Sequence, residues 1–484
     1  MVKKLLFICL YFIVSFGYAY PAAASSLPSQ AYAAANLEPI KKNERILILA
    51  PHPDDEAIGC AGVIQEALSA KADIKIVYLT NGDHNQFAFI VYEKRITLKK
   101  REFVHMGEVR RLEAIRAMQL LGLNEKNLIF LGYPDFGTFT IFSQYWQTTK
   151  PFRDLLTRIS YVPYKENLSF GAPYVAESIL RDLRNVLLDY KPHKIFVSHA
   201  ADVNVDHKSL YLFLQIALAD LKGKIPQPKV YPYLVHCVGW PLPRHYHPEL
   251  SLGPPKKFLD TQMNWRKFEL TQEQLNKKYQ ATLCYKSQTE SSAFYLFAFA
   301  RKNELFGDYP EVELTPPEPK SATAKQAAAP WRQRIGLFFG SSNLFTSSEG
   351  YLPEGLEDNI EGKGRVSYSI LDDNLLIRID KAEELTRRFS VVFYLFGYSS
   401  KTPFAAMPKI RIFARNNKII RVFDGKKRLP CEEIALESNR KELIIKIPLK
   451  ILGEPDFLLA SLKTSKGVSP VEAAGFRKIN IRRQ

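Results

Sequence analysis

Cysteine is scarce in this chain, with five residues in 484 and no CxxC pair among them. Cys9 falls in the first apolar stretch, and Cys60, Cys237, Cys284 and Cys431 lie far apart. That spacing permits a disulfide but excludes a disulfide-stapled scaffold, and none of the five carries a nucleophile signature. No apolar run after residue 20 is long enough to span a bilayer, which excludes a multi-span membrane protein. No internal repeat is present, so repeat architectures are set aside. Acidic residues are outnumbered, 50 Asp and Glu against 67 Lys and Arg, for a net charge of +17. Such a balance suits nucleic acid, anionic lipid or an acidic polymer, and equally a plain solvated surface. The hydrophobic fraction of 46% is that of a globular protein, and 484 residues are too many for one ordinary domain.

What is present begins with a targeting pattern. Lys3 and Lys4 precede an apolar run from Leu5 to Tyr20, broken only by Ser15 and Gly17, and Pro21-Ala22-Ala23-Ala24-Ser25 then supplies small residues for cleavage. The pattern predicts a signal peptide over 1–24, a flexible leader over 25–43, and export to the periplasm or the extracellular space. An uncleaved anchor is the alternative, but no basic stop-transfer cluster follows the run. No stable membrane span is expected after cleavage. For an exported chain an acidic polysaccharide is a more available partner than nucleic acid, which is not expected.

Residues 44–308 alternate between short apolar runs and amphipathic stretches. Arg45–Ala50, Ile74–Thr80, Asn127–Leu131 and Lys194–Ser198 read as strands, and Ala57–Ala70, Glu108–Leu121, Ala176–Asp189 and His207–Leu221 as helices. This predicts a doubly wound, Rossmann-like α/β domain with a mostly parallel sheet and ligands beyond the carboxyl ends of its strands. Residues 309–331 are rich in Pro and Ala and read as an extended linker. From 332 to 484 the pattern turns to short β-type runs, among them Leu375–Ile379, Ser390–Phe396, Ile410–Phe413 and Glu442–Ile447, which predicts an all-β sandwich. The linker implies that the first domain folds without the second.

Chemistry concentrates at two strand ends. Pro51-His52-Pro53-Asp54-Asp55-Glu56 lies where a buried strand gives way to a helix, and Ser198-His199-Ala200-Ala201-Asp202-Val203-Asn204-Val205-Asp206-His207 repeats that placement after another strand. Either cluster alone is open to a plainer reading, with an aspartate capping the helix and a histidine packed in the core. Together they favour a metal site. Imidazole and carboxylate are good zinc ligands, and a catalytic zinc takes three ligands from the protein. A carboxylate beside it can act as general base.

Over residues 44–308 the sequence resembles the PIG-L/LmbE-like zinc-dependent sugar de-N-acetylases, whose signature pairs a PHPDDE-type segment with a later HPDH-type segment. The resemblance implies His52, Asp55 and His207 as ligands of Zn2+, or of another divalent transition metal, and Asp54 as the base. Arg110-Arg111-Leu112-Glu113-Ala114, Gly132-Tyr133-Pro134-Asp135, Tyr285-Lys286-Ser287-Gln288 and Phe299-Ala300-Arg301-Lys302-Asn303-Glu304 match weaker family segments. They imply substrate contacts for Arg110 and Asp135. One position departs: Asn204 stands where the family carries a histidine that stabilises the oxyanion and is oriented by the next aspartate, here Asp206. Asn204 can still donate a hydrogen bond; His199 and His236 are alternatives, and Trp240, near His236, offers a face for a sugar ring. The expected reaction is removal of an N-acetyl group from an amino sugar in an envelope or extracellular glycan. Hydrolysis of another acyl amide or ester, and a non-catalytic glycan-binding role, are the competing readings. Residues 443–477 faintly resemble carbohydrate-binding sandwiches. With 27 Lys and Arg against 18 Asp and Glu over 332–484, such a module would suit an acidic polysaccharide.

Overall fold

The computed structural model describes residues 34–85, 90–92, 94, 99–146, 149–259, 263–315, 358–360, 364–381, 389–415, 418–438, 442–466, 469–473 and 475–482. The signal peptide expected over 1–24 lies outside the described residues, among which no helix is long and apolar enough to cross a membrane. The four described cysteines are all free.

Among the described residues the first lobe has eight strands: β1 (Ala35–Asn36), β2 (Arg45–Ala50), β3 (Asp73–Thr80), β4 (Leu128–Tyr133), β5 (Lys194–Ser198), β6 (Lys229–Tyr233), β7 (Asn264–Glu269) and β8 (Asn303–Asp308). They form one sheet in the order β1-β7-β8-β6-β5-β2-β3-β4. From β6 to β4 all pairings are parallel, and β8 is antiparallel to both its neighbours. The helices are α1 (Asp55–Ser69), α2 (Lys100–Leu120), α3 (Thr138–Gln144), α4 (Ala176–Tyr190), α5 (Val205–Asp220), α6 (Gln272–Leu283) and α7 (Lys286–Leu296). The doubly wound α/β architecture expected from the sequence is the one present. In β2, Ile46, Ile48 and Ala50 join one apolar core while Leu47 and Leu49 join the other. Burial on both faces is why the strand reads as an unbroken apolar run.

The chain winds outward from β2 through β3 to β4, then returns to lay β5 on the other side of β2. The carboxyl ends of β2 and β5 therefore flank the point where the winding reverses, which is where open α/β sheets build sites. A buried ion pair fixes α1 over this point. Lys278 Nζ lies 2.8 Å from Glu304 Oε1, and the same carboxylate accepts the Gly62 and Val63 amides at 2.8 and 3.1 Å. Every strong group in the pair is thus satisfied, as a buried charge requires.

The second lobe is two sheets around one core, antiparallel except at the edge pairing of Val312–Leu314. One orders Asp358–Ile360, Gly364–Leu371, Asn374–Lys381, Glu442–Pro448 and Ala435–Ser438. The other orders Lys427–Leu429, Lys418–Asp424, Lys409–Arg415, Phe389–Tyr398, Phe457–Lys466, Arg477–Ile481 and Val312–Leu314, with Ser469–Ala473 beside Phe457–Lys466. Strand Phe389–Tyr398 is buried on both faces. Val391, Phe393 and Leu395 enter the sandwich core, whereas Phe396 and Tyr398 enter a core shared with Ile141, Phe142 and Phe213 of the first lobe.

Three boundaries differ from the sequence reading. The leader over 25–43 does not run to its end as a free segment: Ala35–Asn36 pairs with β7, and Leu37 and Ile40 are buried, because their side chains find the sheet edge. The linker over 309–331 begins later, since Val312–Leu314 is an edge strand parallel to Arg477–Ile481; residues 316–331 lie outside the described residues. Most consequentially, the lobes are joined by an apolar core and not by a spacer alone. Phe142 has its ring 4.9 Å from Phe213 in its own lobe and 5.2 Å from Phe396 across the boundary. Phe142→Ala is therefore expected to cost about 3–5 kcal/mol in a urea melt, with both lobes unfolding in one transition. Two well-separated transitions in the parent protein would count against the shared core.

Candidate metal centre

His52 leaves the end of β2 and is buried, and His207 sits in the first turn of α5, fully buried. Between them lies Asp55, in the first turn of α1. Its Oδ2 is 3.2 Å from His52 Nδ1 and 3.1 Å from His207 Nε2. The ligand atoms of the three residues lie within 4.8 Å of one another. His207 Nε2 is buried without a hydrogen bond of acceptable geometry despite that short approach. His207 Nδ1 has the same status beside Asp202, so the case for an ion rests on the closeness of the three ligand atoms. Two nitrogens and one oxygen make a three-ligand set suited to zinc.

The far nitrogen of each imidazole meets a further carboxylate. His207 Nδ1 is 3.0 Å from Asp202 Oδ2, and His52 Nε2 is 3.1 Å from Asp135 Oδ1 and 3.3 Å from Asp206 Oδ2. Such outer carboxylates fix the tautomer and orientation of a ligating histidine. His52, Asp135 and Asp206 also lie within ligating distance of one another. Asp206 is already occupied there, accepting the Phe136 amide at 2.6 Å, the Thr138 amide at 3.2 Å and the Thr138 hydroxyl. The pair of histidines sharing Asp55 is the better metal site.

Asp202, to which the sequence reading gave no role, is as fully engaged as Asp206. It accepts the Asn204, Val235 and His236 amides at 2.8, 3.1 and 2.8 Å. Burial works against its charge, yet His207 holds its carboxyl down at about 2. Its only signal in sequence is a second carboxylate in the segment that ends in His207.

Asp54 adopts φ 129°, a region that favours glycine and costs a side-chain-bearing residue about 1–3 kcal/mol. Two contacts hold it: the Glu56 carboxyl accepts its amide at 3.0 Å, and Arg110 Nη2 donates to its Oδ2 at 3.1 Å. Burial pushes the Asp54 carboxyl up to about 7 against the pull of Arg110, with the charge of Asp55 adding to the rise. Burial likewise lifts Glu56 to about 8, and Tyr285 donates its hydroxyl to it. Ser287 donates its amide and hydroxyl to Glu113 at 2.9 and 2.6 Å. The weak motifs at 110–114 and 285–288 thus meet behind the site.

Two residues expected to contact substrate, Arg110 and Trp240, are buried. Besides Asp54, Arg110 donates to the Gly82 and Pro53 carbonyls at 2.9 and 2.7 Å. Its Nη2 holds Asp54, while its Nε, equally buried, has no hydrogen-bond partner among the described residues. Gly82 makes this approach possible, since it has φ 67° and a Cβ there would lie 2.0 Å from Nη1 of Arg110. Trp240 is 7% exposed, with Phe299 edge-on to its ring and its N–H donated to the Gly253 carbonyl at 2.8 Å. It is a core residue with no free face for a sugar.

Asp135 comes to His52, as above, and accepts the His84 amide at 3.1 Å through its other oxygen. Asn204 caps α5, its Oδ1 accepting the Asp206 amide at 2.8 Å. Asp206 turns to His52 and the 136–138 turn instead of to the residue 204 side chain. His236 is half-buried, its ring 4.7 Å from that of His207, and burial lowers it to about 4. His199 points away from the centre, with its ring 5.3 Å from Tyr309. Phe136, at 39% exposure, lies beside these groups with its ring 6.1 Å from that of His84.

Residues 47–218 match the family model described as PIG-L: GlcNAc-PI de-N-acetylase, a span that includes all three candidate ligands. No curated protein matches the chain. Among solved structures, N,N'-diacetylchitobiose deacetylase from Pyrococcus horikoshii is similar at 16% identity over 54% of this chain and 82% of its own, with a TM-score of 0.34. A pseudoaglycone deacetylase acting on an antimicrobial reagent is similar at 15% identity over 55% and 97%, TM-score 0.34. So is 4-carboxy-2-hydroxymuconate hydratase from Pseudomonas putida, at 16% identity over 55% and 97%, TM-score 0.34. A hydratase stands beside two deacetylases at this level of likeness, so the likeness by itself assigns no reaction.

Asp202→Asn replaces no candidate ligand, yet through its contact with His207 it is expected to weaken zinc binding about 10- to 100-fold, read by competition with a chromogenic chelator. His207→Ala is expected to abolish binding; full zinc occupancy in that variant would overturn the ligand set.

Proposed function

We propose that the PIG-L domain of this chain is a zinc-dependent de-N-acetylase that hydrolyses the N-acetyl group of an amino sugar in a glycan. The observation that carries the reading is the convergence of His52, Asp55 and His207 beside a carboxylate, Asp54, within the span matched by the family model. An ion held there would supply Lewis-acid activation of water and of the amide carbonyl. The residues do the rest. Asp54 takes the proton of the attacking water and delivers it to the departing amine. Arg110 keeps the Asp54 carboxylate aimed, and Asp202 keeps the ring of His207 in the tautomer whose Nε2 faces the centre. With Oδ1 of Asn204 engaged as a helix cap, its Nδ2 is the group it can offer to a developing oxyanion. Phe136 takes the part once expected of Trp240, as a face for the sugar ring.

The substrate is placed outside the cytoplasm on the strength of the targeting pattern over 1–24 alone, which favours an envelope or extracellular polysaccharide. A carbohydrate-binding role for the sandwich rests only on the faint resemblance over 443–477 and on its basic balance.

The direct test is acetate release from acetylated amino-sugar oligomers with and without zinc. No acetate from any of them would sink the reading. Asp54→Asn is expected to keep zinc while turnover falls by about two to four orders of magnitude. Asn204→Asp separates capping from catalysis. It preserves the cap, so the melting temperature should hold, but it removes the donor, so turnover should drop about a hundredfold or more. Unchanged turnover would move the oxyanion donor to His236.

A further inference from the structure

We infer that the C-terminal sandwich is a positioning element of the metal centre, acting through Phe476 and Gly475 on the loop that carries Asp202 and His207, and through Phe396 and Tyr394 on the turn that carries Asp135. Two separate contacts support this.

The first runs through α3. The turn Asp135–Thr138 is bound on its inner side to Asp206, as described, and the Thr138 hydroxyl lies 2.5 Å from that of Ser209. On its outer side α3 presents aromatic rings to the sandwich. Phe139 has its ring 5.6 Å from Tyr394, 6.4 Å from Phe396 and 5.9 Å from Phe476. Phe396 and Phe476 stack at 5.8 Å, so these rings form one cluster. A helix of only seven residues has little stability of its own. Its place, and with it the aim of Asp135 at His52, depends on what packs against it.

The second contact reaches the other ligand loop directly. The Phe476 amide donates to the Ala200 carbonyl at 3.2 Å, two residues before Asp202. Gly475 approaches so closely that a Cβ on it would lie 2.6 Å from Ala201 Cβ and 2.9 Å from the Tyr309 hydroxyl. Its φ lies outside the left-handed region, so closeness, and not backbone conformation, is what the absent side chain serves. Arg477 follows, its guanidinium 4.3 Å from the centre of the Tyr309 ring, which in turn lies 5.3 Å from His199. One short segment of the sandwich therefore braces both loops at the metal centre without supplying a ligand.

The contacts stand whatever the reaction is, and only the effect on turnover rests on the proposed de-N-acetylation. The test compares full-length Phe476→Ala with full-length Ile445→Ala, a fully buried position in the sandwich core that meets no first-lobe residue in the shared core. Amide hydrogen exchange is read over 134–144 and 199–207, alongside zinc affinity and kcat and KM for a short substrate. Phe476→Ala is expected to speed exchange in both segments, to weaken zinc about 10- to 100-fold, and to lower kcat with little change in KM. Phe476→Tyr should restore most of each loss. Ile445→Ala should destabilise the protein yet leave exchange in the two segments and zinc affinity as they are. Unchanged exchange and zinc affinity in Phe476→Ala, or equal effects from Ile445→Ala, would overturn the inference. Should Phe476→Ala fail to fold, Gly475→Ala is read in the same way. If Phe476→Ala shows the expected exchange and zinc changes while the parent protein releases no acetate, the proposed reaction is refuted and the positioning role stands.

Discussion

Asp206 carries its carboxylate where water does not reach, and a buried charge of that kind persists only if donors surround it. Its donors come from distant parts of the chain: the amides of Phe136 and Thr138, the Thr138 hydroxyl, and the neighbouring His52 ring. Asp206 itself sits one residue before His207, at the start of α5. This single group therefore fixes the loop after β2, the turn after β4 and the helix after β5 relative to one another. The candidate metal ligands, the short helix α3 and the docking of the sandwich on that helix all follow from where those three segments meet. Removing the carboxylate would leave several buried donors unpaired at once, a cost greater than the loss of any one hydrogen bond.

The centre works against local stability in other ways as well. Asp54 is held in a strained backbone conformation, and Glu56, Asp55, Asp135 and Asp202 are all buried nearby. The surroundings offset this with buried partners: Arg110 for Asp54, His207 for Asp202, and Lys278 with Glu304 behind α1. Each of these partners comes from a different helix or strand, so the compensation is spread over the whole first lobe. Local rules are broken where chemistry is expected, and ordinary packing elsewhere makes up the difference.

Much of this was legible in the sequence. β2 and β5 announced themselves as unbroken apolar runs because both faces of a central parallel strand are buried, and the polar clusters directly after them marked the switch point. What was not legible was which carboxylate meets which histidine. Asp202 and Asp206 share a segment with His207, and spacing alone cannot tell that Asp202 turns to His207 while Asp206 turns to His52. Arg110 read as a substrate contact and Trp240 as a sugar platform, yet both are buried, since side-chain type does not fix exposure. The joining of the lobes did leave a trace. Ser390–Phe396 is apolar at nearly every position instead of alternating. In an antiparallel sandwich that pattern means that the outer face is covered too, and the Pro-rich stretch upstream drew attention away from it.

The pairing of Val312–Leu314 with Arg477–Ile481 bears on how the molecule comes together in time. The contact between Glu311 and Lys478 spans 167 residues, and the brace of Phe476 on Ala200 has a larger separation still. As the polypeptide emerges, the first lobe can assemble its sheet and bring its ligands together while the aromatic side of α3 has nothing to cover it. Contacts of such long sequence separation form late, and until they do Phe139 and Phe142 present an adhesive face to other chains. The lobe with the candidate site is thus made first and covered last, and the interval before the sandwich closes over it is when its apolar face is open to aggregation.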